Sequence, residues 1–103
     1  MARLKETLLQ VMTGYAVKGL NCYSYLTTNE DETLFSVITI ARVRDERIAE
    51  ADMIVRLLDD KIIIEEDQND KPLVDALMAA GISRQQIILA YAGEAVPEAA
   101  EVI

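Results

Sequence analysis

The chain has no histidine, and its 103 residues include only one cysteine, two prolines and four glycines. Histidine is the commonest general base near neutral pH and a frequent zinc ligand. Its absence removes the Ser-His-Asp and Cys-His nucleophile pairs together with most zinc sites. The sequence therefore predicts a protein that is not an enzyme of these classes.

Glycine is also too sparse for nucleotide chemistry. The four glycines stand apart at positions 14, 19, 81 and 93. A phosphate-binding P-loop or a dinucleotide fingerprint needs several glycines within a few residues. We therefore expect no nucleotide and no other cofactor.

Cys22 is the only cysteine, so no disulfide can form within the chain. Disulfide-poor sequences are typical of reducing compartments, which favours a cytoplasmic protein. No apolar run approaches the roughly 20 residues that span a bilayer, so no membrane association is expected. Cys22 has no positive cluster beside it in sequence to activate its thiol, and we interpret it as a structural or incidental thiol.

Charge is the most distinctive property of the composition. The formal net charge is −8, and residues 51–103 hold 4 basic against 11 acidic residues. Proteins grip nucleic-acid phosphates with Lys and Arg, so this balance argues against direct binding of DNA or RNA. It favours a basic protein partner, although surface acidity also serves solubility alone.

The first half of the sequence predicts one helix and two strands. Leu4, Leu8, Val11, Met12 and Tyr15 recur at helical spacing, which predicts an amphipathic helix over residues 3–16. Residues 22–27 and 33–43 are typical of strands, separated by a polar turn at 28–32. The second strand has apolar residues on both faces, so we expect it to be central and covered on both sides.

The second half predicts a hairpin, a helix and a last strand. After a charged break at 44–47, residues 53–58 and 61–66 form two apolar runs with only Asp59 and Asp60 between them, the spacing of a two-residue β-hairpin. Asn69 and Asp70 are candidate N-caps for a helix over about 70–80, and Gly81 is its candidate C-cap. Residues 86–91 predict a short strand that should run parallel to one already in the sheet.

These elements predict a single α+β domain over residues 1–103 with the order α-β-β-β-β-α-β. Its five-stranded mixed sheet would carry both helices on one face. The opposite face would then keep apolar side chains without a cover, and such a patch is typical of a dimer or partner interface. Curling of the strands is the alternative that would hide it within one chain.

Two groups of charged residues are candidates for chemistry. One group is acidic and comprises Glu65, Glu66, Asp67 and Asp70, which carry the oxygen ligands that Mg²⁺ and Ca²⁺ prefer. Side chains alternate along a strand, so Glu65 and Glu66 should project to opposite faces. A solvated strand end is therefore favoured over a metal site. The arginines at 42, 44, 47 and 56 are interleaved with acids, and salt-bridged strand ends are the simpler interpretation. We assign no catalytic, cofactor-binding or metal-binding residue.

Residues 57–67 read Leu-Leu-Asp-Asp-Lys-Ile-Ile-Ile-Glu-Glu-Asp, and residues 80–91 read Ala-Gly-Ile-Ser-Arg-Gln-Gln-Ile-Ile-Leu-Ala-Tyr. Together these segments resemble the XisI family, the fdxN element excision controlling factors best known from cyanobacteria. The likeness extends over most of the chain. This chain departs from the family pattern at Asp60, where Gly is usual, at Ile63 for Trp, and at Ser83 for Pro. The histidine-containing segment expected after Tyr91 is also replaced.

The resemblance implies a small, non-catalytic accessory protein of programmed DNA excision, in which a separate recombinase cuts the DNA. It also implies a protein partner, either that recombinase or the nuclease-like companion XisH, and it points to no catalytic residue that can be placed here. Three alternatives remain open. One is a carboxylate-dependent divalent-metal enzyme using residues 65–70, and another is a structural homodimer. The third is direct binding to excision-site DNA, which only the family resemblance suggests.

Overall fold

A computed structural model describes residues 2–97 of the chain, and the predicted order of elements is confirmed. The elements are α1 (Ala2–Thr13), β1 (Cys22–Thr28), β2 (Leu34–Val43), β3 (Glu46–Leu58), β4 (Lys61–Asp67), α2 (Leu73–Ala79) and β5 (Ile87–Leu89). Single turns of 3₁₀ helix lie at Arg84–Gln86 and Ala90–Ala92, on either side of β5. Within this part of the chain, no helix is both long and apolar enough to cross a bilayer.

The strands form one mixed sheet in the order β1-β2-β3-β4-β5. All neighbouring pairs are antiparallel except β4 and β5, which are parallel as predicted. The hairpin at Asp59 and Asp60 is confirmed, because Leu58 pairs with Lys61 and Asp59 has a φ of 56°. A positive φ at this position is what a primed turn requires.

The predicted bounds of α1, β3 and β5 are wrong. α1 ends at Thr13 rather than at 16, because Gly14, Tyr15 and Ala16 continue in tight turns. β3 begins at Glu46 rather than at 53, so half of the predicted charged break at 44–47 belongs to a strand. β5 covers only Ile87–Leu89, because the 3₁₀ turns occupy its predicted ends.

Helix α2 begins later than predicted and ends as predicted. Pro72 is its N-cap and makes no side-chain hydrogen bond, so the predicted caps Asn69 and Asp70 are wrong. The carboxylate of Asp67 instead accepts a hydrogen bond from the backbone N–H of Leu73 at 2.7 Å. At the other end, Gly81 has a φ of 99°, a conformation that glycine adopts without the cost of a Cβ clash.

The hydrophobic core lies between the two helices and one face of the sheet, as predicted. The helices contribute Leu8, Met12, Leu73 and Leu77, and these side chains are fully buried. The sheet contributes Phe35, Val37, Met53, Val55, Ile62, Ile64 and Ile87. Burying each large apolar side chain contributes about 1.5–3 kcal/mol to the hydrophobic stabilisation, so this layer holds the fold together.

The prediction that the second strand is covered on both sides is wrong. β2 lies between β1 and β3, and its Phe35 and Val37 face the helices. On its other face Leu34 is exposed, while Ile38 and Ile40 are half-buried. The reason is that both helices pack on the same side of the sheet.

Candidate interaction surface

The sheet face turned away from the helices carries apolar side chains from all five strands. Side chains alternate between the two faces of a strand, so the neighbours of the core residues project to this side. Directly paired residues, such as Tyr25 with Ile38 and Ile63 with Ile88, share the face. We call this surface the open face, and its apolar residues are Tyr23, Tyr25, Leu34, Ile38, Ile40, Ile54, Leu58, Ile63 and Ile88.

Exposure on the open face increases from β4 toward β1. Ile63 is fully buried, although it does not belong to the core between sheet and helices. Tyr23 and Tyr25, at the other end, are 47% and 48% exposed. The predicted uncovered patch is therefore present, but it is concentrated on β1 and β2 rather than spread over the whole sheet.

The tyrosines of this patch suit an interface. Tyr is enriched at the centres of protein interfaces because it offers a large apolar area and a hydroxyl while losing few side-chain rotamers. Tyr23 lies opposite Ile40, and Tyr25 lies opposite Ile38, so each ring stands beside a half-buried isoleucine. Aromatic and β-branched side chains stabilise each other when they pair in this way.

The predicted salt-bridged arginines divide into two groups. Arg56 donates from Nε to Glu65 at 2.9 Å on the open face, which confirms the prediction at that position. Arg42 and Arg47 instead face each other across β2 and β3. Within residues 2–97, neither of these two side chains nor that of Arg44 has a carboxylate at ion-pair distance, so the prediction is wrong for these three.

Three of the four acidic residues at 65–70 have polar partners among the described residues. Asp67 accepts hydrogen bonds from Leu73 N, from Asn69 N at 3.1 Å and from Asn69 Nδ2 at 2.9 Å. Glu66 accepts from Gln68 Nε2 at 2.8 Å, while Glu65 pairs with Arg56. Across the described part of the chain, no three His, Cys, Asp or Glu side chains are grouped as a metal site would need.

Two tyrosines near α2 have altered acidity. Tyr15 donates its hydroxyl to the carbonyl of Lys71 at 3.0 Å, and burial raises its pKa, with further contributions from Asp67 and Asp75. The pKa of Tyr91 is raised by burial and by the same two carboxylates. Both phenols therefore stay neutral to higher pH than usual.

Cys22 begins β1, where it pairs with Ala41 and is half-buried. The sequence prediction of a structural role is in keeping with this place in the strand.

Sequence reasoning missed the contribution of Leu20, which precedes β1 and is fully exposed beside the patch. A single leucine between Gly19 and Asn21 carries no periodic signal that would have identified it.

The family model described as "XisI protein" matches residues 2–102 of the chain. No curated protein matches the chain. Among solved structures, the chain is similar to a XisI-like protein from Anabaena variabilis ATCC 29413, with a TM-score of 0.74 and 19% sequence identity over 85% of this chain and 84% of that one. It is also similar to the fdxN element excision controlling factor XisI from the same organism, with a TM-score of 0.65 and 20% identity over 92% of each chain.

Proposed function

The chain belongs to the XisI family, and from this premise we propose that it is a non-catalytic accessory protein of programmed DNA element excision. In this role it binds and regulates a protein partner, either an XisH-like nuclease or a recombinase, and it does so in the cytoplasm. The observation that carries the proposal is the family match over residues 2–102. The lack of histidine in the whole chain supports a role without chemistry of its own.

The open face supports the same role. A small domain with two helices on one side of a five-stranded sheet leaves the other side available, and exposed apolar patches commonly bind proteins. Tyr23 and Tyr25 provide exposed aromatic area of the kind that anchors interfaces. We therefore assign partner binding to the β1–β2 end of the open face.

Co-purification tests the proposal. Tagged protein expressed in its native host should recover a nuclease-like or recombinase protein, and the two purified proteins should associate with a dissociation constant of about micromolar or below. Recovery of neither protein class, together with no association of the purified pair, would contradict the proposal. A stable homodimer that excludes both partners would favour the structural alternative, and sedimentation measures it directly.

A matched pair of variants then locates the surface. Tyr25→Thr removes an open-face ring while keeping a residue that favours strands, and it should weaken the association about tenfold or more. Tyr91→Thr removes a ring of similar exposure next to the helices, and it should leave the association within about twofold. Equal effects of the two variants would argue against binding through the open face.

A further inference from the structure

Two arginines stand directly opposite each other near the tip of the β2–β3 hairpin. Arg44 and Asp45 form the turn with φ values of 51° and 70°, and the register then pairs Val43 with Glu46 and Arg42 with Arg47. Paired residues in an antiparallel ladder project from the same face, with Cβ atoms about 4.5–5.5 Å apart. Like charges at that separation destabilise a sheet, so this arrangement calls for a counter-charge.

The backbone brings these two side chains especially close. Arg42 N donates to Asn21 O at 2.9 Å, and Arg42 O accepts from Asn21 Nδ2 at 2.8 Å. Both backbone groups of Arg42 therefore point toward β1 and away from Arg47. The arginines thus form a non-hydrogen-bonded pair, the type in which opposing strands and their side chains approach most closely.

The pair borders a groove of about 380 Å³ at the most exposed end of the open face. Leu20, Tyr23, Tyr25 and Ile40 provide its apolar and aromatic lining, and the two arginines provide its positive charge. Tyrosine and arginine are the residue types most enriched where binding energy concentrates in protein interfaces. The groove therefore combines an apolar surface with two adjacent cations.

Three acidic residues of β3 lie on the other side of the sheet, while Asp45 lies in the turn. Glu46 pairs with Val43 and Glu50 pairs with Thr39, which places both carboxylates on the side of the helices. Asp52, at the bulge that follows, accepts a hydrogen bond from the Thr39 hydroxyl. A chain with a net charge of −8 thus presents a local positive site on this face, and its complement is an anionic group.

We propose that this groove binds an acidic segment of a protein partner, with a carboxylate between Arg42 and Arg47 and an apolar side chain against Tyr23 and Tyr25. The inference rests on the proposed function, since it names the chemistry of the partner that the open face would bind. Guanidinium groups form paired, charge-assisted hydrogen bonds with carboxylates, which suits them to this role. Two arginines on an acidic chain are too few cations to hold a nucleic-acid backbone.

Nuclear magnetic resonance titration of the isotope-labelled chain tests the inference with defined probes. One probe is a short peptide in which Glu alternates with Val, and the control probe is the same peptide with Lys in place of Glu. The acidic peptide should shift the signals of Tyr23, Tyr25, Arg42 and Arg47 and bind less tightly as salt is added, whereas the basic peptide should not. Equal shifts of these four residues with the two peptides, or shifts confined to other residues, would overturn the inference.

Variants that each remove one positive charge, at the groove or beside it, make the test specific. Arg42→Gln and Arg47→Gln should each weaken binding of the acidic peptide about tenfold, and both should fold because each relieves the like-charge pair. Arg44→Asn removes one charge from the adjacent turn with a residue that tolerates positive φ, and it should change binding by no more than about twofold. A loss of affinity in Arg44→Asn equal to that in Arg42→Gln would contradict a specific site.

Two further outcomes separate this inference from the proposed function. If the Arg42→Gln, Arg47→Gln double variant recovers the partner from the host as well as the unmodified chain does, the groove assignment is wrong while the accessory role stands. If the unmodified chain recovers no partner but binds the acidic peptide through the groove, the accessory role is wrong and the site stands. Preferential binding of oligothymidine over the acidic peptide would assign the groove to nucleic acid and overturn the inference.

Discussion

The carboxylate of Asp67, the last residue of β4, accepts a 2.7 Å hydrogen bond from the backbone N–H of Leu73, the first residue of α2. The first turn of a helix has N–H groups without partners inside the helix, and a carboxylate there satisfies one of them and interacts favourably with the helix dipole. Asp67 therefore caps the N-terminus of α2 from outside the helix, because Pro72, the N-cap residue, has no side-chain hydrogen-bond acceptor. Asp67, within the most conspicuous acidic cluster of the sequence, thus has a structural role.

Replacing Asp67 by alanine should lower the free energy of unfolding by about 1–2 kcal/mol, the usual cost of removing a helix cap. Asp70→Ala is the control, since Asp70 is exposed and should change stability by less than about 0.5 kcal/mol. Urea titration followed by circular dichroism measures both. Similar stabilities of the two variants would show that the Asp67–Leu73 hydrogen bond contributes nothing.

Divalent metals should not stabilise the protein. A metal that binds only the folded chain raises the midpoint of thermal unfolding as its concentration increases. Here Asp67 already accepts a hydrogen bond from Leu73, and Glu65 already forms an ion pair with Arg56. Thermal unfolding with millimolar Mg²⁺, Mn²⁺ or Ca²⁺ should therefore match unfolding in a chelator. A metal-dependent rise that disappears in Asp67→Asn would instead favour the metal-enzyme alternative.

Adjacent residues of β2 should respond very differently to truncation. Phe35 is fully buried under the helices, and Phe35→Ala should cost about 3–5 kcal/mol, much of the roughly 5–15 kcal/mol that holds a domain together. Leu34 lies on the open face and is exposed, so Leu34→Ala should cost less than about 1.5 kcal/mol. Phe35→Leu provides an intermediate, measurable step. A costlier Leu34→Ala than Phe35→Ala would mean that the open face is the better packed side.

The elements that sequence could predict are those set by neighbours along the chain. The Asp59 and Asp60 hairpin follows from two apolar runs with two residues between them, and the corner at Gly81 follows from a helical stripe that ends in glycine. In both cases the turn chemistry and the hydrophobic pattern agree. The helix-covered face of the sheet could be predicted for the same reason.

The Arg42–Arg47 pair depends on information that the sequence does not display. The β2–β3 turn uses Arg44 and Asp45 at positive φ, without the Asn-Gly or Asp-Gly pattern that usually marks such a turn. β4 pairs with β3 only from Met53 onward, and the first half of β3 is largely exposed. That half has few large apolar residues, so its sequence does not indicate a strand. Since the pairing register follows from the turn, the two arginines could not be placed opposite each other from the sequence.

The contact between Glu94 and β5 should make stability depend on pH. The pKa of Glu94 is lowered first by the backbone N–H of Leu89, at 2.8 Å, and then by Arg84, whose Nη2 lies 2.7 Å from the carboxylate. A carboxylate whose pKa is lower in the folded state stabilises the fold above its unfolded pKa of about 4.3, and this contribution is lost as pH falls through the folded value.

Glu94→Gln should therefore be less stable than the unmodified chain at neutral pH, and the difference should disappear in acid. Urea titrations of both proteins between neutral and acidic pH measure it. A difference that stays constant across the pH range would mean that Glu94 acts through packing rather than through its charge.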